Sequence, residues 1–152
     1  MKTRVEGTVA PRLYLDTSAY LCVLLGEDHA EAISRETKGA ELLSSVLLVL
    51  ETRRNLVRLA REGSLKARDF KACLERLGQD QRRFHLRDLT LDLCESSALP
   101  AVSTPRSLDL AHLRTALWFH TEGAIDRFVT LDDSQAEAAR ELGLPAGSRP
   151  LR

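Results

Sequence analysis

Two kinds of hydrophobic pattern alternate along the chain. Short, mainly apolar runs, typical of buried strands, occupy residues 13–15, 40–43, 84–86 and 128–131. Between them lie longer segments in which apolar residues recur every three or four positions, as on one face of a helix. Because strands that alternate with helices pair in parallel, the pattern predicts the α/β class, with a parallel sheet covered by helices on both faces.

Helix ends are predicted from hydroxyl and acidic residues at the start and from glycines at the end. Thr17 or Ser18 is expected to cap a first helix that ends at Gly26. The other helices are predicted over 28–38, 46–62, 64–77, 90–98, 107–121 and 134–142. Gly78 should end the fourth of these seven helices.

Three of the predicted helix starts carry specific capping signals. Asp28 with Glu31, and Ser134 with Glu137, have the spacing of a capping box, and Ser107 stands directly before an apolar-periodic segment. A cap at Ser134 would leave the nearby Asp132 free for another role.

Composition excludes several classes of protein. The 152 residues suit one domain, and 43% hydrophobic with 29% charged residues is ordinary for a globular chain. A formal net charge of zero provides no global attraction to nucleic acid or membrane. Three cysteines without C-x-x-C spacing argue against a disulfide framework or structural zinc. With no long apolar window and no export signal, we expect a cytoplasmic protein that does not span a membrane.

Acidic residues fall where strands end and helices begin. Asp16 and Asp132 end strands, Glu51 lies two turns into a helix, and Asp109 is in the first turn of another. In a parallel sheet these positions gather along one edge. Two carboxylates about 4 to 5 Å apart repel by roughly 3 to 4 kcal/mol at an effective dielectric near 20. In a cluster of four, either the pKa values rise or a hard divalent cation, Mg²⁺ or Mn²⁺, neutralises the charge, and such an ion can activate water against a phosphodiester.

These acids lie in four segments that resemble a known family. In order, residues 14–19, 45–51, 107–117 and 128–132 look like the four acidic motifs of PIN-domain ribonucleases, and the resemblance spans about residues 12–144. Within that family, the small size is similar to VapC toxins of bacterial toxin–antitoxin pairs. The resemblance implies a three-layer α/β/α sandwich, an RNA substrate and a cognate antitoxin as partner.

Carried over to this chain, the motifs imply a set of metal ligands. The implied ligands of Mg²⁺ or Mn²⁺ are Asp16, Glu51, Asp109 and Asp132. Thr130 or Ser18 would help to orient them. Asp133 follows Asp132 directly and is an alternative fourth acid.

Several features of the sequence admit two interpretations. Arg53, Arg54 and Arg58 lie on one predicted helix and suit either RNA phosphates or a solvated helix face. His112, one turn after Asp109, suits a ligand or base, but also a core or supporting histidine. Apolar residues that could build a homodimer interface, or equally the core, are Leu24, Leu25, Leu65 and Phe70.

Two other functions compete with a ribonuclease. A PIN-like module could bind RNA or protein without cutting it, although such a module would be expected to have lost one of the four acids. A phosphatase with Asp16 as nucleophile fits less well, because Ser18 occupies the position where a second aspartate would be needed.

Overall fold

A computed structural model describes residues 7–95, 102 and 106–147. Its five strands are β1 (Arg12–Leu15), β2 (Glu41–Ser45), β3 (Phe84–Arg87), β4 (Arg127–Val129) and β5 (Ala146–Gly147). They form one sheet in the order β3-β2-β1-β4-β5, and every neighbouring pair is parallel. The predicted parallel sheet is confirmed.

Seven α-helices connect or follow these strands in the described part of the chain. They are α1 (Thr17–Leu25), α2 (Ala30–Thr37), α3 (Leu47–Arg61), α4 (Ala67–Asp80), α5 (Leu91–Glu95), α6 (Ser107–Glu122) and α7 (Asp133–Glu141). A single 3-10 turn, Gln81–Arg83, joins α4 to β3. Among the described residues, none of these helices has the length and apolar character needed to cross a membrane.

The central strand separates two apolar layers, because successive side chains of a strand point to opposite faces. Leu13 and Leu15 pack on one face with Leu42 of β2 and Ile33 of α2. Helices α1, α3 and α4 pack against one another on this side of the sheet.

Tyr14 faces the opposite layer, where it is fully buried. Its ring stacks on Phe128 of β4, with centroids 5.2 Å apart. Leu113 and Ala116 of α6, together with Ala138 of α7, complete this cluster. Helices on both faces therefore make a three-layer α/β/α sandwich, as expected.

The strand order places a crevice beside β1. The chain passes from β1 to β2 and β3 on one side, then returns to form β4 and β5 on the other. Open α/β sheets bind ligands at such a reversal, outside the carboxyl ends of the strands. Asp16 directly follows β1, and Thr130 directly follows β4. The topology thus brings the first and fourth acidic motifs together.

Some predicted helix ends are wrong. Gly26 does end α1 in the left-handed region, at φ 67°, but Gly78 lies inside α4. The last turn of α4 continues because Leu77 is fully buried and the Asp80 carboxylate accepts a hydrogen bond from the Tyr20 hydroxyl at 2.9 Å. These tertiary contacts offset the cost of about 1 kcal/mol for a glycine in a helix.

The predicted caps also fail, beginning with α1, which is capped by Asp16 and not by Thr17 or Ser18. Asp28 does not cap α2: the cap position is His29, at φ 77° and without a side-chain bond. Ser107 is the first residue of α6, whose cap position is Arg106. Asp132, not Ser134, caps α7. The predicted end of the fifth helix at 96–98 and most of the following loop lie outside the described residues.

Candidate functional site

A cavity of about 180 Å³ opens at the carboxyl end of β1, and we call it the acidic pocket. Its lining comprises Asp16, Thr17, Ser18, Leu21, Glu51, Asn55, Arg106, Asp109, His112 and Asp132. All four acids proposed from the motifs are among these residues, although more than a hundred positions separate the first from the last. Arg106 is the one lysine or arginine among the lining residues.

Asp16 is positioned by the junction between β1 and α1. As the cap of α1, its Oδ1 accepts hydrogen bonds from the backbone N–H of Ala19 at 3.1 Å and the hydroxyl of Ser18 at 2.6 Å. Its Oδ2 accepts from the hydroxyl of Thr130. Burial raises the pKa of Asp16, and these hydrogen bonds only partly oppose that shift.

The two hydroxyls also tie Asp16 to the end of β4. Ser18 Oγ accepts from the backbone N–H of Leu131 at 3.1 Å, and Thr130 Oγ1 accepts from that of Asp132 at 3.1 Å. Both hydroxyls donate to one carboxylate and accept from the neighbouring segment. Ser18 and Thr130 therefore fix the position of Asp16 relative to the fourth motif.

Glu51 projects from the second turn of α3 and is held by two donors. Its Oε1 accepts from the hydroxyl of Thr17 at 2.8 Å and lies 2.8 Å from Nε2 of His112. Burial raises the pKa of Glu51. The hydrogen bond and charge of His112, together with the Thr17 hydroxyl, lower this pKa by a larger amount, so the net shift is downward. Glu51 is thus kept ionised in a half-buried position.

His112 connects Glu51 to the core. The Tyr14 hydroxyl lies 2.8 Å from Nδ1 of His112, and burial raises the pKa of Tyr14 well above its usual value. The carboxylate of Glu51 can only accept a hydrogen bond, so Nε2 of His112 carries a proton and donates to it. His112 is 2% exposed, which places it as a supporting residue of Glu51.

Asp109 lies in the first turn of α6, half-buried at the rim of the pocket. Burial raises its pKa, Arg106 opposes the shift, and the charges of Asp132, Asp16 and Glu51 raise it further. The last three contributions show that the four carboxylates sense one another electrostatically. Asp109 therefore holds a proton more readily than an ordinary aspartate.

The two neighbouring acids after β4 lie in different environments. Asp132 lines the pocket, while its Oδ1 accepts from the backbone N–H groups of Ser134 at 2.9 Å and Gln135 at 3.2 Å. Asp133 is exposed and does not line the pocket. The expectation that Asp132 is not needed as a cap is therefore wrong. Its Oδ2 still leaves acceptor capacity for a ligand.

The three arginines named from the sequence lie on α3. Arg53 and Arg54 are exposed and lie outside the pocket lining. Arg58 forms an ion pair with Glu62 at 3.0 Å and lines a groove next to the acidic pocket.

Two residues of the site were not identified from the sequence. Thr17, expected only as a helix cap, donates to Glu51, and Arg106 brings a cation to the rim beside Asp109. The sequence signal that could have identified them is their position next to the acids. Thr17 follows Asp16 directly, and Arg106 precedes Asp109 by about one turn.

The donor set suits a hard cation, but its spacing does not form a closed cage. Carboxylate oxygens are the ligands that Mg²⁺ and Mn²⁺ prefer. Within the described ranges, no three Asp, Glu, His or Cys side chains are grouped so that together they could hold an ion. Since Mg²⁺ commonly keeps several waters and binds through one or two carboxylates, the residues fit a hydrated ion.

Comparisons with known proteins add no family assignment. No model of a known protein family matches the chain, and no curated protein matches its sequence significantly. The resemblance to PIN-domain ribonucleases rests on the four motifs.

Proposed function

We propose that the chain is a Mg²⁺-dependent endoribonuclease that hydrolyses RNA phosphodiesters at the acidic pocket. The observation that carries this proposal is the meeting of four carboxylates, from four separate motifs, in a pocket with a single guanidinium. Such an excess of negative charge at a strand-end crevice is costly unless a cation or protons compensate it.

Each carboxylate has a distinct role in this proposal. Asp16, immobilised by three hydrogen bonds, and Asp109, at the rim, would hold the ion, and Glu51 and Asp132, which line the same pocket, would bind its waters. A bound Mg²⁺ would activate water and stabilise the leaving oxygen of the phosphodiester. Thr17 and His112 keep Glu51 ionised and oriented.

The charge of the pocket also explains why cleavage would require a cation. RNA is a polyanion, and uncompensated carboxylates repel its phosphates. Arg53 and Arg54, exposed on α3, offer positive charge for phosphates beside the pocket. RNA would therefore bind across α3 only when the pocket is neutralised.

The resemblance to VapC toxins extends the proposal to a biological role. The chain would be the toxin of a toxin–antitoxin pair, acting in the cytoplasm and forming a homodimer. Its expression in a bacterium should arrest growth, and co-expression of a cognate antitoxin should restore it.

Replacing Asp16 with asparagine tests the proposed chemistry. Asn keeps the size and the capping ability of Asp but removes the charge, so cleavage of a labelled RNA with Mg²⁺ should fall by about a hundredfold or more. Asp28→Asn changes an exposed acid outside the pocket and should leave cleavage unchanged. Equal cleavage by folded Asp16→Asn and wild-type protein would refute the assignment.

A non-catalytic PIN-like module remains the second candidate. It is favoured by one observation, that no group of three potential ligands is assembled among the described residues. Calorimetric titration with Mn²⁺ separates the two functions. Saturable binding that Asp16→Asn abolishes supports the nuclease, whereas RNA binding without Mn²⁺ binding or cleavage supports the module.

A further inference from the structure

A second cavity, also of about 180 Å³, lies in the helical layer on the α1 side of the sheet. We call it the basic cavity. It is lined by Leu15, Tyr20, Val23, Ser34, Thr37, Lys38, Leu42, Arg76, Asp80, Arg83 and Phe84. Three of these side chains are cationic and one is acidic. It shares no lining residue with the acidic pocket.

The inner wall of the basic cavity is apolar. Leu15 and Leu42 come from adjacent strands of the sheet, Val23 from α1, and Phe84 from the start of β3. An enclosed apolar cavity of about 150 Å³ is large enough to bind one benzene ring. The whole cavity, at about 180 Å³, can therefore accept a body of that size against its apolar wall.

The single carboxylate of the cavity is already compensated. Asp80 accepts hydrogen bonds from the Tyr20 hydroxyl at 2.9 Å and from Nε of Arg76 at 3.0 Å. Arg83 approaches the same carboxylate at 3.7 Å. Two guanidiniums thus face one carboxylate, and both arginine side chains remain more than half exposed at the mouth.

Lys38 adds a further cation without a partner. It is exposed, and among the described residues its ammonium forms no ion pair. The hydroxyl of Ser34 also donates no hydrogen bond within the described part of the chain, whereas that of Thr37 donates to the backbone carbonyl of Ile33. The mouth therefore combines surplus positive charge with a hydroxyl able to donate to an anion.

We propose that the basic cavity binds a small organic anion whose apolar body is about the size of one aromatic ring. The body would rest on Leu42 and Phe84, and its anionic group would lie at the mouth between Lys38 and the two arginines. Carboxylate or phosphate would satisfy this chemistry, because each accepts charge-assisted hydrogen bonds from several donors. This proposal does not depend on the nuclease activity.

Three probes separate the contributions of charge and apolar contact. Phenyl phosphate carries both parts, inorganic phosphate only the anion, and benzyl alcohol only the ring. Titrations followed by amide chemical shifts, with EDTA present to keep divalent ions from the acidic pocket, should give phenyl phosphate a Kd on the order of 1 mM or tighter. Shifts should centre on Ser34, Lys38 and Arg83, and each single-part probe should bind at least about tenfold more weakly.

A charge-reversal pair tests whether Lys38 contributes. Lys38→Glu should weaken binding of phenyl phosphate by about tenfold, because attraction at the mouth becomes repulsion. Lys71→Glu makes the same change in net charge at an exposed position of α4 outside the cavity lining and should leave the Kd unchanged. Equal effects of the two variants, tight binding of either single-part probe, or shifts centred on Asp16 and Asp109 would overturn the proposal.

Discussion

The acidic pocket and the basic cavity have similar volumes and each contains one nearly buried aspartate, yet they treat that aspartate in opposite ways. Asp16 is 5% exposed and Asp80 is 6% exposed. Asp16 is held by two hydroxyls and one backbone N–H, and it forms no ion pair within the described part of the chain. Asp80 instead contacts two guanidiniums and a phenol.

The difference shows that burial alone does not identify a functional carboxylate. Neutral donors orient Asp16 without cancelling its charge, so burial still raises its pKa, and a cation would relieve the cost. At Asp80 the fold itself supplies the cations, so the carboxylate has a structural role. Two guanidiniums beside one carboxylate leave an excess of positive charge. Whether the fold already neutralises the buried carboxylate therefore predicts the charge of each ligand: a cation for the acidic pocket and an anion for the basic cavity.

The stabilisation gained on binding Mn²⁺ should show the largest difference between variants of Asp16 and of Asp80. At Mn²⁺ concentrations of about 100 times Kd, the free energy of unfolding of wild-type protein should rise by about 2.7 kcal/mol. Urea denaturation with and without Mn²⁺ measures this gain. Asp16→Asn should lose most of it, and Asp80→Asn should retain it. Loss of the gain in both variants would show that the ion binds elsewhere.

Removal of the Asp80 charge should have the next largest effect, on stability alone. Asp80→Asn leaves Arg76 and Arg83 without an anionic partner, and because both are more than half exposed, water limits the cost to about 1 to 2 kcal/mol. Urea denaturation without divalent ions provides the measurement. Asp28→Asn, at an exposed acid, should stay within about 0.5 kcal/mol of wild type. An unchanged midpoint for Asp80→Asn would contradict a structural role.

Neutralising Asp109 should change the free energy of unfolding by a smaller amount, and it should stabilise the protein where loss of the Asp80 charge destabilises it. Its pKa is raised in the folded protein, so ionisation of Asp109 opposes folding and the cost appears as the pH rises above the unfolded-state value near 4. Loss of the favourable contact with the α6 dipole, about 0.3 to 1 kcal/mol, partly cancels the gain from removing that charge.

Asp109→Asn should therefore stabilise the metal-free protein by about 0.5 kcal/mol at pH 7, and the advantage should disappear towards pH 4. Thermal unfolding at a series of pH values measures the trend. An advantage that grew as the pH fell would mean that the pKa of Asp109 is lowered in the folded protein, contrary to the shared negative field.

The sequence was sufficient for four of the five strands, all but β5, and for the placement of the four acids. Both depend on local patterns: apolar runs mark the strands, and parallel pairing then brings their carboxyl ends to one edge. The role of Asp132 as a cap could not be predicted. The apolar run continues to residue 131 and suggests that the strand does too, whereas β4 ends at Val129 and leaves Asp132 at the start of α7. Only pairing with β1 and β5 determines where that strand stops.

The basic cavity could not be predicted for a related reason. Its charged residues come from α4, from the 3-10 turn and from the residue that follows α2, and Asp80 lies beyond Gly78, where the fourth helix was predicted to end. The spacing of Arg76 and Asp80, four residues apart, was the one local signal. Tyr20, which completes the contact with Asp80, lies sixty residues away.

Asp16 serves at once as helix cap and as pocket carboxylate, and this overlap has an evolutionary consequence. Asparagine begins a helix as well as aspartate does, so one substitution can silence the charge while α1 still starts at the same residue. Only the contact with Thr130 must change, because its hydroxyl donates to Oδ2 and would have to accept from the asparagine amide instead. Descendants of this chain that lose the charge would therefore be expected to keep their shape and to carry asparagine at this position.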